Sequence, residues 1–246
     1  MITFLDFLRE DEDQVATVSD LIKRDCKPWL KASGGFAAFR GMNVGDSLCQ
    51  KVKDHKGLYV AKVRTDRIPK DSPPWLHNTM NSYFTEKTGT PLRSASIFAA
   101  GSNDTASEYA PHGPGENRVC SIFPIGEFEY AWSKEIDDPT HALYIYPMGH
   151  SNVGKLPTFR KFWASKAKSW HIPLDPDEYL KEFSYELNTS HNYWERMVTA
   201  FIEEANAWTF NEGLRECLTK YRSHEVMIKC DKFYAVTLGT ASKLEL

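Results

Sequence analysis

Residues 222–238, RSHEVMIKCDKFYAVTL, hold two β-forming runs separated by a short polar turn. So brief a connection joins antiparallel strands, because parallel ones need a crossover of a dozen or more residues. The stretch therefore predicts a buried hairpin, anchored by Val226 and Ile228, with His224 and Glu225 at its head. An acid at the mouth of a buried hairpin calls for a chemical reason, which the rest of the chain has to supply.

Upstream, DEDQVATVSDLIKR (11–24) puts Val15, Val18, Leu21 and Ile22 on one helical face, acids first and bases last, predicting an N-terminal helix over about 10–25. FAAFRGM (36–42) reads as a strand ending in a glycine turn. SPPWLHNTMNSYFTEKTG (72–89) has prolines at a helix start and Gly89 as its stop, and PLRSASIFAAG after it predicts a strand from Leu92 to Ala99. A short helix is expected in NDTASEYA, a hairpin in RVCSIFPIGEFEYAWS around its Pro-Ile-Gly, and a strand in HALYIYP. Residues 151–221 read as a helical insertion, with DPDEYLKEFSYEL and SHNYWERMVTAFIEEANAW as its helices; Trp194, Met197, Val198, Phe201 and Ile202 keep helical spacing in the second. Strands and helices are partly segregated, which predicts an α+β fold, and no internal repeat or linker divides residues 1–246, so one domain is expected.

Composition removes several classes. A formal charge of −3 argues against a strongly basic nucleic-acid binder, and no apolar run approaches bilayer-spanning length. Neither GxGxxG nor GxxxxGK[ST] occurs, which weakens the dinucleotide-fold and P-loop routes. Cys26, Cys49, Cys120, Cys217 and Cys230 are odd in number and form no CxxC pair, so they read as reduced thiols of a cytoplasmic protein, and the N-terminus shows no secretory leader.

Three groups recur in order: FRG at 39–41, SAS at 94–96, and HEVMI at 224–228. This order resembles the R-S-E class of ADP-ribosyltransferases, whose strands carry an arginine, a Ser-x-Ser and a catalytic glutamate. RVCSIFPIGEFEYAW is similar to the strand-Pro-x-Gly-strand unit of that family, and HEVMIKCDKFYAV to its glutamate strand and final strand. The resemblance covers roughly residues 36–131 and 222–238. It implies a split, mostly antiparallel sheet with NAD, used as a substrate and without a metal, in a cleft between its halves. ADP-ribose would pass to a macromolecular acceptor, protein or nucleic acid, with no membrane involved. Glu225 would then stabilise positive charge developing on the ribose, and Arg40 would hold phosphate or the adjacent ribose. Ser94 and Ser96 would share a strand face and orient the carboxylate, Ser94 matching the first serine of the motif. Gly41, Ser96 and Phe98 would line the cofactor site. The position that carries glutamate in arginine modifiers and glutamine in asparagine modifiers is Ser223, so the acceptor stays open, as does loss of activity; Ala95 replaces the usual threonine.

Plainer readings stand beside these. Arg40 is also readable as a surface arginine, Ser94 and Ser96 as edge-strand positions, Glu225 as a solvated strand cap, and Glu127 with Glu129 as an exposed strand face. His141, His150, Asp137 and Asp138 lack the short spacing of a metal site, and Cys230 lacks a histidine partner motif. RKFWASKAKSW (160–170) mixes bases with aromatics, either to contact nucleic acid or, as favoured, to cover a core with the bases in water. The rival to catalysis is a non-catalytic interaction or structural protein that keeps the fold.

Overall fold

A computed structural model describes residues 4–41, 51–52, 57–68, 72–108, 119–143, 156–172, 175–176 and 189–246, with side chains from residue 15 onward except 141 and 189–193. The principal elements in chain order are α1 (Phe4–Asp25), α2 (Lys27–Ser33), β1 (Ala38–Gly41), β2 (Leu58–Lys62), α3 (Pro74–Thr88), α4 (Leu92–Ala95), β3 (Ile97–Ala99), α5 (Asn103–Glu108), β4 (Val119–Ile125), β5 (Glu129–Trp132), α6 (Pro157–Trp170), α7 (Thr189–Glu204), β6 (Thr209–Phe210), α8 (Leu214–Thr219), β7 (Val226–Lys229) and β8 (Lys232–Thr237). One-turn helices stand at Pro139–Leu143 and Leu238–Ala241. Helices and antiparallel sheets coexist, which makes the fold α+β. The chain divides into two compact units: residues 1–64, 96–130 and 211–246 form the first, and 65–95 with 131–210 the second.

In the first unit, β1, β4, β8 and β2 form an antiparallel sheet in that order. β4 is buried along almost its whole length, as befits a central strand, yet it contains Pro124. The β1–β4 ladder stops at Ala38 opposite Ile122, so the missing N–H of Pro124 lies beyond the end of β1 and leaves no gap there. β3 pairs antiparallel with β7, and β5 lies on the other side of β7. Val18 and Ile22 of α1, Trp29 of α2, Ile122, Phe123, Val226, Ile228 and Val236 are all buried. Fully burying an aliphatic or aromatic side chain contributes about 1.5–3 kcal/mol.

In the second unit, Ala131 and Trp132 of β5 pair with Phe210 and Thr209 of β6. Tyr83 and Phe84 of α3 pack against Trp208 and Phe210 with ring centroids 5.7–6.0 Å apart. A second aromatic core joins Phe159 and Trp163 of α6 to Trp194 and Phe201 of α7, the indole N–H of Trp194 donating to Leu143 O at 3.1 Å.

Several expectations need correcting. Residues 92–95 are helical and the strand begins only at Ile97, because Pro91 accepts backbone bonds from both Ser94 and Ala95 and so starts a helical turn. Neither anticipated hairpin forms. β4 and β5 belong to different sheets, and so do β7 and β8. A two-residue hairpin loop needs positive φ, which Cys230 and Asp231 do not adopt, so the chain turns a corner between sheets. At the β4–β5 corner Gly126 takes φ 71°, and its N–H donates to Asp25 O at 2.9 Å, which anchors the corner to the end of α1. The start of HALYIYP is helical, and its residues 144–147 lie outside the described set, as do 177–187 of the helix expected over 175–187. β2, α8 and the short β6 within the helical insertion were not anticipated.

Candidate functional site

Strand β3 organises the first unit's candidate site. Just past its end, Ala100 forms an antiparallel bridge with Phe39 of β1 through two backbone bonds of 2.8 and 2.9 Å. The bridge is isolated: where a longer ladder would set Gly41 against Phe98, the Arg40 guanidinium instead donates to Phe98 O at 3.3 Å. On the other side, β3 pairs with β7 in the register Ile97 to Ile228, Phe98 to Met227 and Ala99 to Val226. Continued by one residue, that register sets Ala100 against Glu225. Arg40 and Glu225, far apart in sequence, therefore stand on opposite sides of one strand, with backbones about 10 Å apart at two strand spacings.

Pleating sorts the side chains. Ser96, Phe98 and Ala100 alternate with Ile97 and Ala99, and directly opposed residues share a face, so Glu225 and Met227 lie with Ala100 and Phe98. Val226 and Ile228 are fully buried on the opposite face, as the sequence led one to expect. Arg40, Gly41, Phe98 and Glu225 are half-buried, whereas Ser223 is exposed. Ser96 is 0% exposed, and its hydroxyl has no hydrogen-bond partner among the described residues.

The turn ahead of Glu225 is fixed at three points. The His224 N–H donates to Tyr221 O at 2.9 Å, the Tyr221 and His224 rings meet edge to face at 5.1 Å, and Arg222 Nε donates to Gly101 O at 3.3 Å. Gly101 permits the close approach of α8, since a Cβ there would lie 2.5 Å from Leu218 O. Nothing in the sequence pairs Arg222 with a carbonyl 121 residues earlier, so this anchor escapes a sequence reading.

Ser94 belongs to the second unit. Its hydroxyl receives a bond from Asn81 Nδ2 at 2.7 Å, donates to Arg67 O at 3.3 Å, and lies 3.0 Å from His77 Nε2. The Ser94 N–H donates to Asn81 Oδ1 at 3.2 Å. Burial, and secondarily the charge of Arg93, lower the His77 pKa. The structure thus groups Ser94 with Arg67, His77 and Asn81, and sets Ser96 on the β3 face of Phe98 and Glu225; the two serines do not share a strand face. Arg40, set against Ala99 by the Phe39–Ala100 bridge, starts from the other face and reaches β3 through Phe98 O.

Other candidates resolve into structural roles. Asp138 Oδ1 accepts from Thr140 N at 2.6 Å and caps the helix Pro139–Leu143. The side chain of His141 and all of His150 lie outside the described residues, among which no group of three His, Cys, Asp or Glu side chains converges. Glu129 pairs with Lys229 at 3.3 Å, and Glu127 is exposed. Cys26, Cys217 and Cys230 are buried free thiols, each pushed up to about 12, first of all by desolvation, so none is a ready thiolate. No described helix is long and apolar enough to cross a membrane. No family model, curated protein or solved structure matches this chain.

Proposed function

We propose that this chain is an NAD-dependent ADP-ribosyltransferase whose site is built on β3. The observation that carries this reading is the flanking of β3 by Arg40 and Glu225, two residues of unlike charge that distant segments set on either side of one strand, Arg40 reaching it through Phe98 O. The buried, unpartnered hydroxyl of Ser96 at the head of the same strand supports it, since such a group suits a polar ligand. In the reaction the bond between ribose C1′ and the nicotinamide nitrogen breaks, and the leaving nicotinamide keeps the electron pair. Positive charge grows on the ribose, and the Glu225 carboxylate stabilises it more than the ground state. An acceptor nucleophile then bonds to C1′ and loses its proton. Arg40 suits the pyrophosphate, because a planar guanidinium matches phosphate oxygens through several directed donors. Ser96 is assigned to the ribose or carboxylate, and Phe98 and Gly41 to the wall beside them. Ser223, at the exposed turn, faces the acceptor, a protein or nucleic acid. Buried free thiols are in keeping with a cytoplasmic setting.

Nicotinamide release from labelled NAD, with and without cell extract, tests the proposal. Release should fall about 100-fold or more in Glu225→Ala. Equal release from wild type and variant would remove Glu225 from the chemistry. The second reading is a non-catalytic interaction protein, and Ser94 favours it: the hydroxyl matching the family's leading serine is engaged by three polar neighbours. Absence of both NAD binding and nicotinamide release would select that reading.

A further inference from the structure

Helix α6 carries four bases, Arg160, Lys161, Lys166 and Lys168, and no acid, in a chain whose formal charge is −3. Its buried side is settled: Phe159, Trp163 and Ala167 pack inward. Two of the bases are neutralised locally. Lys166 Nζ lies 2.7 Å from a Glu204 carboxylate oxygen, and Arg160 lies 3.6 Å from Asp175. Trp170 is also committed, since the Arg196 guanidinium sits 5.1 Å from its ring centroid. Lys161 and Lys168 remain exposed and make no ion pair among the described residues.

Their spacing matters. Seven residues are nearly two full turns, so the two ammonium groups project along one line, about 10 Å apart on the axis. Between them Ser165 is exposed, and His171 at the helix C-cap is exposed as well. The only apolar residues exposed on the helix are Pro157 and Ala164. An interfacial membrane helix buries large apolar side chains on its lipid-facing side, and a docked amphipathic helix uses apolar anchors; this face has neither. A ligand recognised here is therefore recognised by charge.

We propose that the Lys161–Lys168 face of α6 is a docking surface for the phosphate backbone of a nucleic acid, bound without regard to sequence. Each ammonium displaces condensed counterions from the strand, which supplies affinity but no base recognition. The inference stands on α6 alone, and its test involves no NAD, so its failure leaves the transferase reading untouched.

The full chain is titrated against fluorescein-labelled single-stranded RNA of about 20 nucleotides at about 50 mM salt, with anisotropy as readout. Binding should be equal for two unrelated sequences and should weaken steadily as salt rises. The double variant K161E/K168E should bind at least about tenfold more weakly, while K232E, which reverses an exposed lysine on β8, should bind like wild type. Circular dichroism of each variant checks that it is folded; a misfolded double variant is replaced by K161Q/K168Q, for which a smaller loss is expected. No binding at low salt, equal binding by K161E/K168E and wild type, or an equal loss in K232E would each overturn the proposal. So would tighter binding to phosphatidylserine vesicles than to RNA.

Discussion

Ser94 and Ser96 stand two residues apart and in opposite circumstances. The first lies within a helical turn and is held by Asn81, Arg67 and His77, so its hydrogen-bonding capacity is spent inside the protein. The second enters β3 with its hydroxyl fully buried and unpartnered. Leaving a buried polar group unsatisfied costs about 1–3 kcal/mol, so a chain that keeps one has reason to use it or gives up stability for nothing. The difference teaches that spacing within a motif does not decide which hydroxyl is spent on bonds inside the protein. Backbone conformation does: one helical turn at 92–95 separates two side chains that a continuous strand would have set side by side.

The comparison breaks most sharply through activity. Glu225 shares a sheet face with Ser96 and not with Ser94, so the β3 region should carry the largest functional loss. Glu225→Gln, which keeps the shape and removes the charge, should lower nicotinamide release per folded molecule by about 100-fold. A variant that retains full release would remove the chemical reason for setting β3 above the Ser94 network.

Stability sharpens it next. Ser94→Ala strands the Asn81 amide and the buried His77 ring, and should destabilise the protein by about 1–3 kcal/mol, read as a lower urea midpoint at constant m-value. Its nicotinamide release per folded molecule should stay near wild type. Ser96→Ala removes a hydroxyl that already lacks a partner, so stability should change by less than about 0.5 kcal/mol while release drops about tenfold. The reverse pattern, with Ser94→Ala inactive but stable and Ser96→Ala unstable but active, would invert the assignment.

How much of this was legible beforehand varies by residue for physical reasons. The amphipathic pattern of α1 and α7 is local, and Val18, Ile22, Met197, Val198 and Phe201 are buried as their spacing required. The opposed faces of β7 followed equally from period-2 alternation. What failed was pairing. The Pro-Ile-Gly at 124–126 and the short loop at Cys230–Asp231 looked like hairpin turns, but partner choice among strands is set by non-local contacts and by turn geometry. The strand expected over 92–99 erred because the β-forming Ile97 and Phe98 were extended back over Leu92–Ala95, whereas the bonds to Pro91 O decide its first half. At the site, Arg40 and Glu225 were legible as motif residues, but the bridge from Phe39 to Ala100 that brings their strands to one neighbour was not, since no sequence signal marks an isolated bridge.

The smallest expected effect concerns pH, and it probes the Ser94 side of the comparison alone. Burial, with a lesser contribution from Arg93, holds the folded His77 pKa below its ordinary value of 6.5. In the unfolded chain the ring takes its proton near 6.5, and in the folded protein only at lower pH. Between those two points the unfolded state binds more protons, so acidification favours it. His77 therefore contributes stability that is fully present above pH 6.5 and is lost as the pH falls from there through the folded value. Urea midpoints measured from pH 7.5 downward should decline across that window in wild type. In His77→Gln the decline should be shallower, because the amide cannot titrate. An identical slope in both proteins would mean that the ring beside Ser94 is protonated as readily in the folded chain as in water, and the closed, internally satisfied network that distinguishes Ser94 from Ser96 would have to be given up.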